Sequence, residues 1–495
     1  MPPVPVVLPL AMAVAVFLTP SKRWRPRLLA ATAAAHFAAT VALLAAPTPA
    51  GASIAAWLGP AAGPAGGAWL ALDAPGRLLL AVVSVLFLCC AVYSTGYLRY
   101  RVERANRRFC ACMLAALGTM SLVAYSQNLG LLWIGIEATT LATAPLIYFN
   151  RTARSIEATW KYLLIASVGI ALALLGSFFV GYAALLGGGE ASLRFGDLLA
   201  GAGELSRPWL RAGFVLLLIG YGTKMGLAPM HTWKPDAYGE APGVVGAVLA
   251  GGLTSCAFLA VLRLAQVAAA AGEGAFTSRL LLAIGLASMA VAGASMLGQR
   301  DLKRMLAYSS VEHMGILAVA TGLGVGAAAG ATFAALFHLV NNALAKGALF
   351  LSVGNIHRAF GGKTTGEVHG ALRRLPLSGT LFLLGLFAVT GSPPFGPFVS
   401  ELLVLSSAFG TGRWAIGALF LALLLLVFAG MGATSLAALQ GRPPLAARRS
   451  SYRDGVTTFA PALVLLALVL LFGLHLPAPV AALIADAAAA LEVGR

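Results

Sequence analysis

Apolar runs long enough to cross a hydrocarbon core of ~30 Å recur from residue 3 to residue 475, separated by short polar segments. The pattern predicts an all-α polytopic membrane protein of about fourteen helices. They fall near 3–19, 28–46, 76–98, 109–126, 129–149, 158–186, 211–228, 242–266, 279–298, 304–323, 326–356, 377–408, 415–440 and 456–475. Tyr93, Tyr97 and Tyr100 mark the membrane interface at the end of the third run. Segments 47–67 and 187–210 read as long outer loops and 441–455 as a basic inner loop. The Ala-rich stretch 476–495 reads as a short helix on the outer surface.

Two of these runs are interrupted. Lys224-Met-Gly-Leu-Ala-Pro-Met-His-Thr-Trp-Lys-Pro-Asp236 breaks the seventh, and Gly391-Ser-Pro-Pro-Phe-Gly396 breaks the twelfth. Proline removes a backbone donor and clashes with the preceding turn. In lipid that is tolerated only where the freed backbone faces protein or a wet cavity. Two interrupted helices five apart are the mark of an inverted-repeat transporter. The expected organisation is three N-terminal helices over 1–108, a first repeat over 109–266 (helices 4–8), a second over 279–440 (helices 9–13), and a last helix with its tail over 456–495.

Composition agrees: 59% of the 495 residues are hydrophobic and 10% charged, with mean hydropathy +0.87, where a soluble domain would carry roughly 25% charged residues. No separate soluble domain can be cut out. The net charge of +17 is set by short loops, six of which hold 22 of the 34 Lys and Arg residues. A serpentine reading puts all six on one side, cytoplasmic by the positive-inside rule, with both termini on the periplasmic side. This distribution sets orientation and argues against a nucleic-acid face. The first apolar run has no basic residue before it and no clear cleavage site, so it reads as a retained helix. Cys89, Cys90, Cys110, Cys112 and Cys256 all lie in apolar runs, without zinc or iron–sulfur spacing, and read as small core residues.

The apolar runs carry ionisable residues, each costing roughly 2.5–3.5 kcal/mol at a helix centre. Glu137 lies within its run, Lys224 precedes the first break, and Glu312 and His313 are in the tenth helix. His338, Asn342 and Lys346 share one face of the eleventh, and Glu401 follows the second break. Glu137 and Lys224 are the obvious pair. A carboxylate favours the charged form of a buried ammonium, so moving or neutralising it would toggle proton release. Taken singly, a Lys–Glu pair also admits the lesser reading of structural glue, and His338 is a helix–helix hydrogen-bonder as readily as a relay member. Glu157 with Lys161 reads as an interfacial pair, and His231 and Asp236 as turn formers. The whole set, aligned with two broken helices, favours proton translocation.

These segments, with Leu-Leu-Trp-Ile-Gly-Ile-Glu137 and Asp301-Leu-Lys-Arg-Met-Leu-Ala-Tyr-Ser-Ser310, make the chain resemble the antiporter-like subunits of respiratory complex I, Mrp cation/proton antiporters and energy-converting hydrogenases. Ile-Glu137-Ala-Thr-Thr-Leu-Ala-Thr-Ala-Pro-Leu-Ile-Tyr148 and Ser-Ser310-Val-Glu-His-Met-Gly315 look most like the F component of hydrogenase-4. The resemblance implies fourteen helices, inverted repeats and breaks in helices 7 and 12. It implies proton-translocating roles for Glu137, Lys224, His313, His338, Lys346 and Glu401. Lys161, His231, Lys234, Asp236, Glu312 and Asn342 are candidates for proton uptake or support.

The chain departs from that pattern in places. Ala250 and Gly251 stand where several relatives place His or Lys on helix 8, so the link between half-channels must use water or another side chain. Asn342 replaces a histidine found in many members, and Lys234 an apolar residue of the His-Thr-Trp motif. The chain ends soon after helix 14, without the long lateral helix of the most distal complex I subunit.

The expected function is that of a proton-translocating subunit in the bacterial inner membrane. Its implied partners are other membrane subunits and a peripheral arm with [NiFe] and iron–sulfur proteins. The alternative is an Mrp-type sodium/proton antiporter subunit without a redox partner. No redox chemistry, cofactor or metal is expected in the chain itself. It has no iron–sulfur spacing, no dinucleotide loop and no haem-type His pair.

Overall fold

A computed structural model describes residues 3–45, 69–101, 103–189, 191–325 and 330–492. The first long outer loop expected from sequence, 47–67, lies outside the described residues. The fold is all-helical, with no strand beyond isolated bridges among the described residues. The main helices are α1 (Val4–Leu18), α2 (Trp24–Ala45), α3 (Ala74–Arg99), α4 (Arg107–Tyr125), α5 (Leu129–Ile147), α6 (Ala153–Leu186) and the two pieces α7a (Arg207–Met225) and α7b (Trp233–Glu240). They continue as α8 (243–268), α9 (Gly274–Met296), α10 (Leu302–Val325), α11 (Ala331–Phe360), α12a (Pro376–Val389), α12b (Gly396–Gly410), α13 (Trp414–Leu439), α14 (Val456–Leu474) and α15 (Ala478–Leu491).

Among the described residues, nine helical stretches are long and apolar enough to cross a membrane. The stretches α7a and α10 fall short of that mark because they carry the ionisable and small polar residues the core holds. Backbone hydrogen-bonding has to be satisfied inside each segment in lipid, and helices alone among open structures do so. Many large apolar side chains are exposed, such as Leu141, Trp160, Leu164 and Leu425, as a lipid-facing surface requires. The interior holds α8, α10 and α11, whose residues are almost entirely buried.

Several boundaries differ from the sequence reading for identifiable reasons. The eleventh helix, expected over 326–356, runs over Ala331–Phe360: its last turn holds His357 and Arg358, which suit a helix C-terminus, and Gly361 (φ 72°) ends it. The eighth contains a π-helical stretch, Val248–Leu253, that hydropathy does not signal. The second outer loop is folded, with a short helix Phe195–Ala200 held by an Arg194–Asp197 ion pair at 2.7 Å. The C-terminal helix α15 is more than a surface element: Ile484, Ala487, Ala488 and Leu491 are buried, and Gln266 donates to the Ala490 carbonyl at 2.6 Å.

The basic loops knit together on one face. Asn106 donates to the Lys22 carbonyl (2.8 Å), Arg104 to the Asn150 carbonyl (2.9 Å) and Asn150 to the Glu240 carbonyl (3.0 Å). Lys363 pairs with Glu240 at 2.8 Å, and Arg374 donates to the Ala447 carbonyl at 2.7 Å.

Candidate functional site

A row of polar side chains runs through the middle of the bundle between the two helix breaks. At one end, Trp133 fixes α5 on α6 by donating to the Ile170 carbonyl at 2.8 Å, and Glu137 follows one turn later. Helix α7a packs on α6 at backbone distance, since a Cβ on Gly220 would lie 2.6 Å from the Gly169 carbonyl oxygen. That approach brings Lys224, one turn on, beside α5. Its Nζ lies 3.7 Å from Glu137 Oε2 and donates to Thr140 Oγ1, which in turn donates to Glu137 at 3.1 Å. Lys224 is fully buried, whereas the Glu137 side chain is 21% exposed toward the outside of the chain.

The break after α7a begins at Gly226 (φ 81°), where a side chain would meet Lys234 Cδ at 2.3 Å. The chain thus turns back so that α7b carries Lys234 into the interior. Lys234 is fully buried; its Nζ donates to Ser310 Oγ (3.0 Å) on α10 and lies 5.8 Å from the Tyr238 ring. Lys224 stands 5.5 Å over the Tyr162 ring, which packs on Trp233 at 5.0 Å. The aromatic pair lines the interval between the two lysines.

Ser309, the neighbour of Ser310, receives Lys346 from α11 at 2.5 Å and donates to Glu312 at 3.5 Å. Glu312 Oε2 lies 3.5 Å from His313 Nε2. His313 Nδ1 meets His338 Nε2 at 2.9 Å with the rings stacked, and His338 Nδ1 meets Ser400 Oγ at 2.8 Å. Glu401 completes the row: its carboxylate and the two imidazoles bring ligand-type atoms within 4.8 Å of one another. The second break brings it there, because Gly391 (φ 63°) leaves the space that Glu401 Oε2 occupies, 2.0 Å from where a Cβ would sit. Asn342, midway between His338 and Lys346, is buried with neither amide atom bonded to a protein group among the described residues.

The remaining candidates lie apart from this row. Asp236 is half-exposed on the basic face, bound by Lys161 (3.0 Å) and Arg304 (2.5 Å), and Lys161 also holds Glu157 at 2.6 Å. His231 is half-buried in the break, with its Nδ1 unbonded among the described residues. Sequence reasoning missed the hydroxyls that join the charges: Thr140, Ser309, Ser310 and Ser400. The adjacent serines before Glu312 and His313 carried the one available signal. It also left out the buried cations Lys303, which donates to the Ala241 carbonyl, and Arg263, which donates to Asp73. Position 250–251 on α8 contributes only backbone carbonyls, which accept from Thr254 and Ser255 at 2.6 Å.

Buried acids, imidazoles and ammonium groups joined by hydroxyls can hold and pass protons. Residues 126–428 match the family described as NADH:quinone oxidoreductase/Mrp antiporter, transmembrane, and the chain belongs to that family. It is 36% identical over 351 residues to a hydrogenase-4 component F homolog of Methylacidiphilum infernorum, covering 69% of this chain and 73% of that protein. It is 32% identical to the N subunit of NADH-quinone oxidoreductase from Desulforudis audaxviator, over 71% of this chain and 68% of the relative. Among solved structures it resembles a chain of Thermus thermophilus respiratory complex I (TM-score 0.75, 26% identity, 96% of this chain and 99% of that one). The fold also matches a chain of the Mrp complex from Dietzia (TM-score 0.82, 20% identity, 99% of this chain and 96% of that one). The protein is an antiporter-like, multi-pass integral membrane subunit.

Proposed function

We propose that this chain is the proton-translocating membrane subunit of a redox-driven complex, most similar in kind to a group 4 [NiFe] hydrogenase of the hydrogenase-4 or formate hydrogenlyase type, or to a complex I-like enzyme. It spans the bacterial inner membrane fourteen times, with inverted repeats over 109–266 and 279–440. The basic face is cytoplasmic and both termini are periplasmic. The observation that carries the reading is the row from Glu137 to Glu401, which joins both helix breaks through buried ionisable groups.

Charge movement in a neighbouring membrane subunit reaches Glu137, whose partly exposed carboxylate faces outward. Loosening the Glu137–Lys224 pair releases the Lys224 proton inward; tightening it draws one back. The buried Lys234 stands between the halves and supplies the charge that Ala250 and Gly251 on α8 cannot. Its serine partner Ser310 adjoins Ser309, the partner of Lys346, so the two lysines share one turn of α10. From Lys346 the proton passes by Glu312, His313 and His338, with water at the Asn342 amide, to Glu401. Asp236, Lys161 and His231 on the basic side gather protons for uptake. Peripheral [NiFe] and iron–sulfur subunits and other membrane subunits are its partners.

Purification from native membranes in mild detergent, with mass spectrometry of the co-purifying subunits, tests this. A [NiFe] large subunit with iron–sulfur proteins is the expected result. The second reading, an Mrp-type antiporter subunit, draws on the 33% identity to the A subunit of a Na(+)/H(+) antiporter from Alkalihalophilus pseudofirmus, although the chain spans only 39% of that relative. Mrp-type partners without redox centres, with sodium-dependent transport, would select it.

A further inference from the structure

A second feature owes nothing to the proton row. On the basic face, where α1 ends and α2 and α4 begin, a recess of about 540 Å³ opens beside the end of α5. Lys22, Arg25, Arg104, Arg107, Arg108 and Arg151 line it, and no carboxylate does among the described residues. None of the six forms an ion pair among the described residues, so six cations converge without a counter-charge.

The recess is built rather than a chance crowding of loops. Arg25 is 4% exposed and spends its guanidinium on the Thr19 carbonyl (2.8 Å), the Pro20 carbonyl (2.9 Å) and Asn106 Oδ1 (3.0 Å). Its charge therefore stays in place with every bond made to neutral groups. Arg104 is anchored through the Asn150 carbonyl, and its buried Nε bonds to nothing among the described residues. Arg151 is the only non-glycine residue with positive φ (52°) among the described residues. It follows the short 3-10 turn Tyr148–Asn150, at a position where glycine or asparagine is usual. An arginine held there against backbone preference points to a use for its side chain.

Apolar residues share the lining: Phe17, Pro145 and Phe149 border the recess, and Phe17, with the adjacent Leu18, is exposed. Arg107 lies 5.6 Å over the Phe17 ring. Cations and apolar side chains lining one recess at the ends of helices fit a ligand with a phosphate head and acyl chains, and basic pockets between membrane helices on the cytoplasmic side hold such head groups. We infer that this recess binds the phosphodiester head group of an anionic phospholipid, its acyl chains lying along Phe17 and Pro145.

The test uses the protein in its intact membrane complex. Tightly bound phospholipid is quantified by mass spectrometry after mild delipidation, and the unfolding midpoint is followed on adding back phosphatidylglycerol, phosphatidylcholine or inorganic phosphate. The wild type should retain anionic lipid and be stabilised by phosphatidylglycerol alone. The triple variant Arg107→Gln/Arg108→Gln/Arg151→Gln should lose both properties. Arg151→Gly relieves the backbone, so it folds at least as well as wild type at this position, and it should weaken phosphatidylglycerol binding by about fivefold. Unchanged lipid retention in Arg151→Gly and in the triple variant would overturn the inference. Protection by inorganic phosphate equal to that by phosphatidylglycerol would overturn it too, since the recess would then be a site for soluble anions.

Discussion

The two ends of the polar row are built on different principles. At the Glu137 end a carboxylate and an ammonium lie 3.7 Å apart, with a threonine hydroxyl between them and the carboxylate partly exposed. At the Glu401 end no cation lies within ion-pair reach of the carboxylate among the described residues, and two stacked imidazoles stand beside it, one of them bonded to a serine hydroxyl. The first end is an ion pair that an outside charge can disturb. The second is a string of groups that can each be neutral, which suits storage and release of a proton more than sensing. The proposed coupling uses both, with Lys234 between them.

Replacing Lys224 with alanine removes one partner of a buried pair and should abolish coupled pumping. Breaking such pairs costs about 3–5 kcal/mol of stability, so the loss of pumping is read per folded complex. Acid-sensitive dye quenching in vesicles holding the complex measures it, and full pumping in the variant would sink the scheme. Glu401→Gln keeps shape and should lower pumping by about tenfold while leaving donor oxidation intact when the gradient is collapsed. Equal losses with and without an uncoupler would instead mean damage to the assembly.

A smaller effect separates two kinds of buried histidine. His36 on α2 is as buried and as fully hydrogen-bonded as His338, but its partners are two serine hydroxyls, Ser84 at 3.0 Å and Ser121 at 2.9 Å, where His338 meets a second imidazole. His36 is a satisfied structural residue. His36→Ala should lower stability by about 1–3 kcal/mol and spare pumping per folded complex, whereas His338→Ala should slow pumping several-fold. The same outcome for both would erase the distinction. The mildest change is Gly391→Ala, which forces a left-handed residue against Glu401 and should cost about 1–3 kcal/mol, read as a lowered unfolding midpoint.

Helix placement was legible because lipid leaves the backbone one solution, and hydropathy reports it directly. Both breaks were legible because Pro229, Pro235, Pro393 and Pro394 sit in otherwise continuous runs. The ionisable members of the row stood out against apolar neighbours for the same reason. What the sequence hid depends on three-dimensional meeting points. Ser309 and Ser310 look like ordinary helix residues until Lys346 and Lys234 arrive from other helices. Lys234 lies two residues from Asp236 in sequence, yet one is fully buried and the other half-exposed. The turn at Gly226 sets which of them enters the interior. The basic recess likewise gathers residues from three separate segments, which no linear pattern brings together.

Everything in the scheme depends on the two halves communicating through Lys234. The direct measurement is the number of protons moved per electron pair by the intact complex carrying Lys234→Leu, in sealed vesicles. Leucine replaces a buried ammonium by an apolar group of similar volume, and because Lys234 bonds only to Ser310 among the described residues, the change leaves no buried counter-charge unpaired. Communication through this residue requires an unchanged or raised unfolding midpoint together with pumping reduced by about tenfold or more. Wild-type proton stoichiometry in that variant would contradict it, and would leave Lys234 a buried structural charge beside the path.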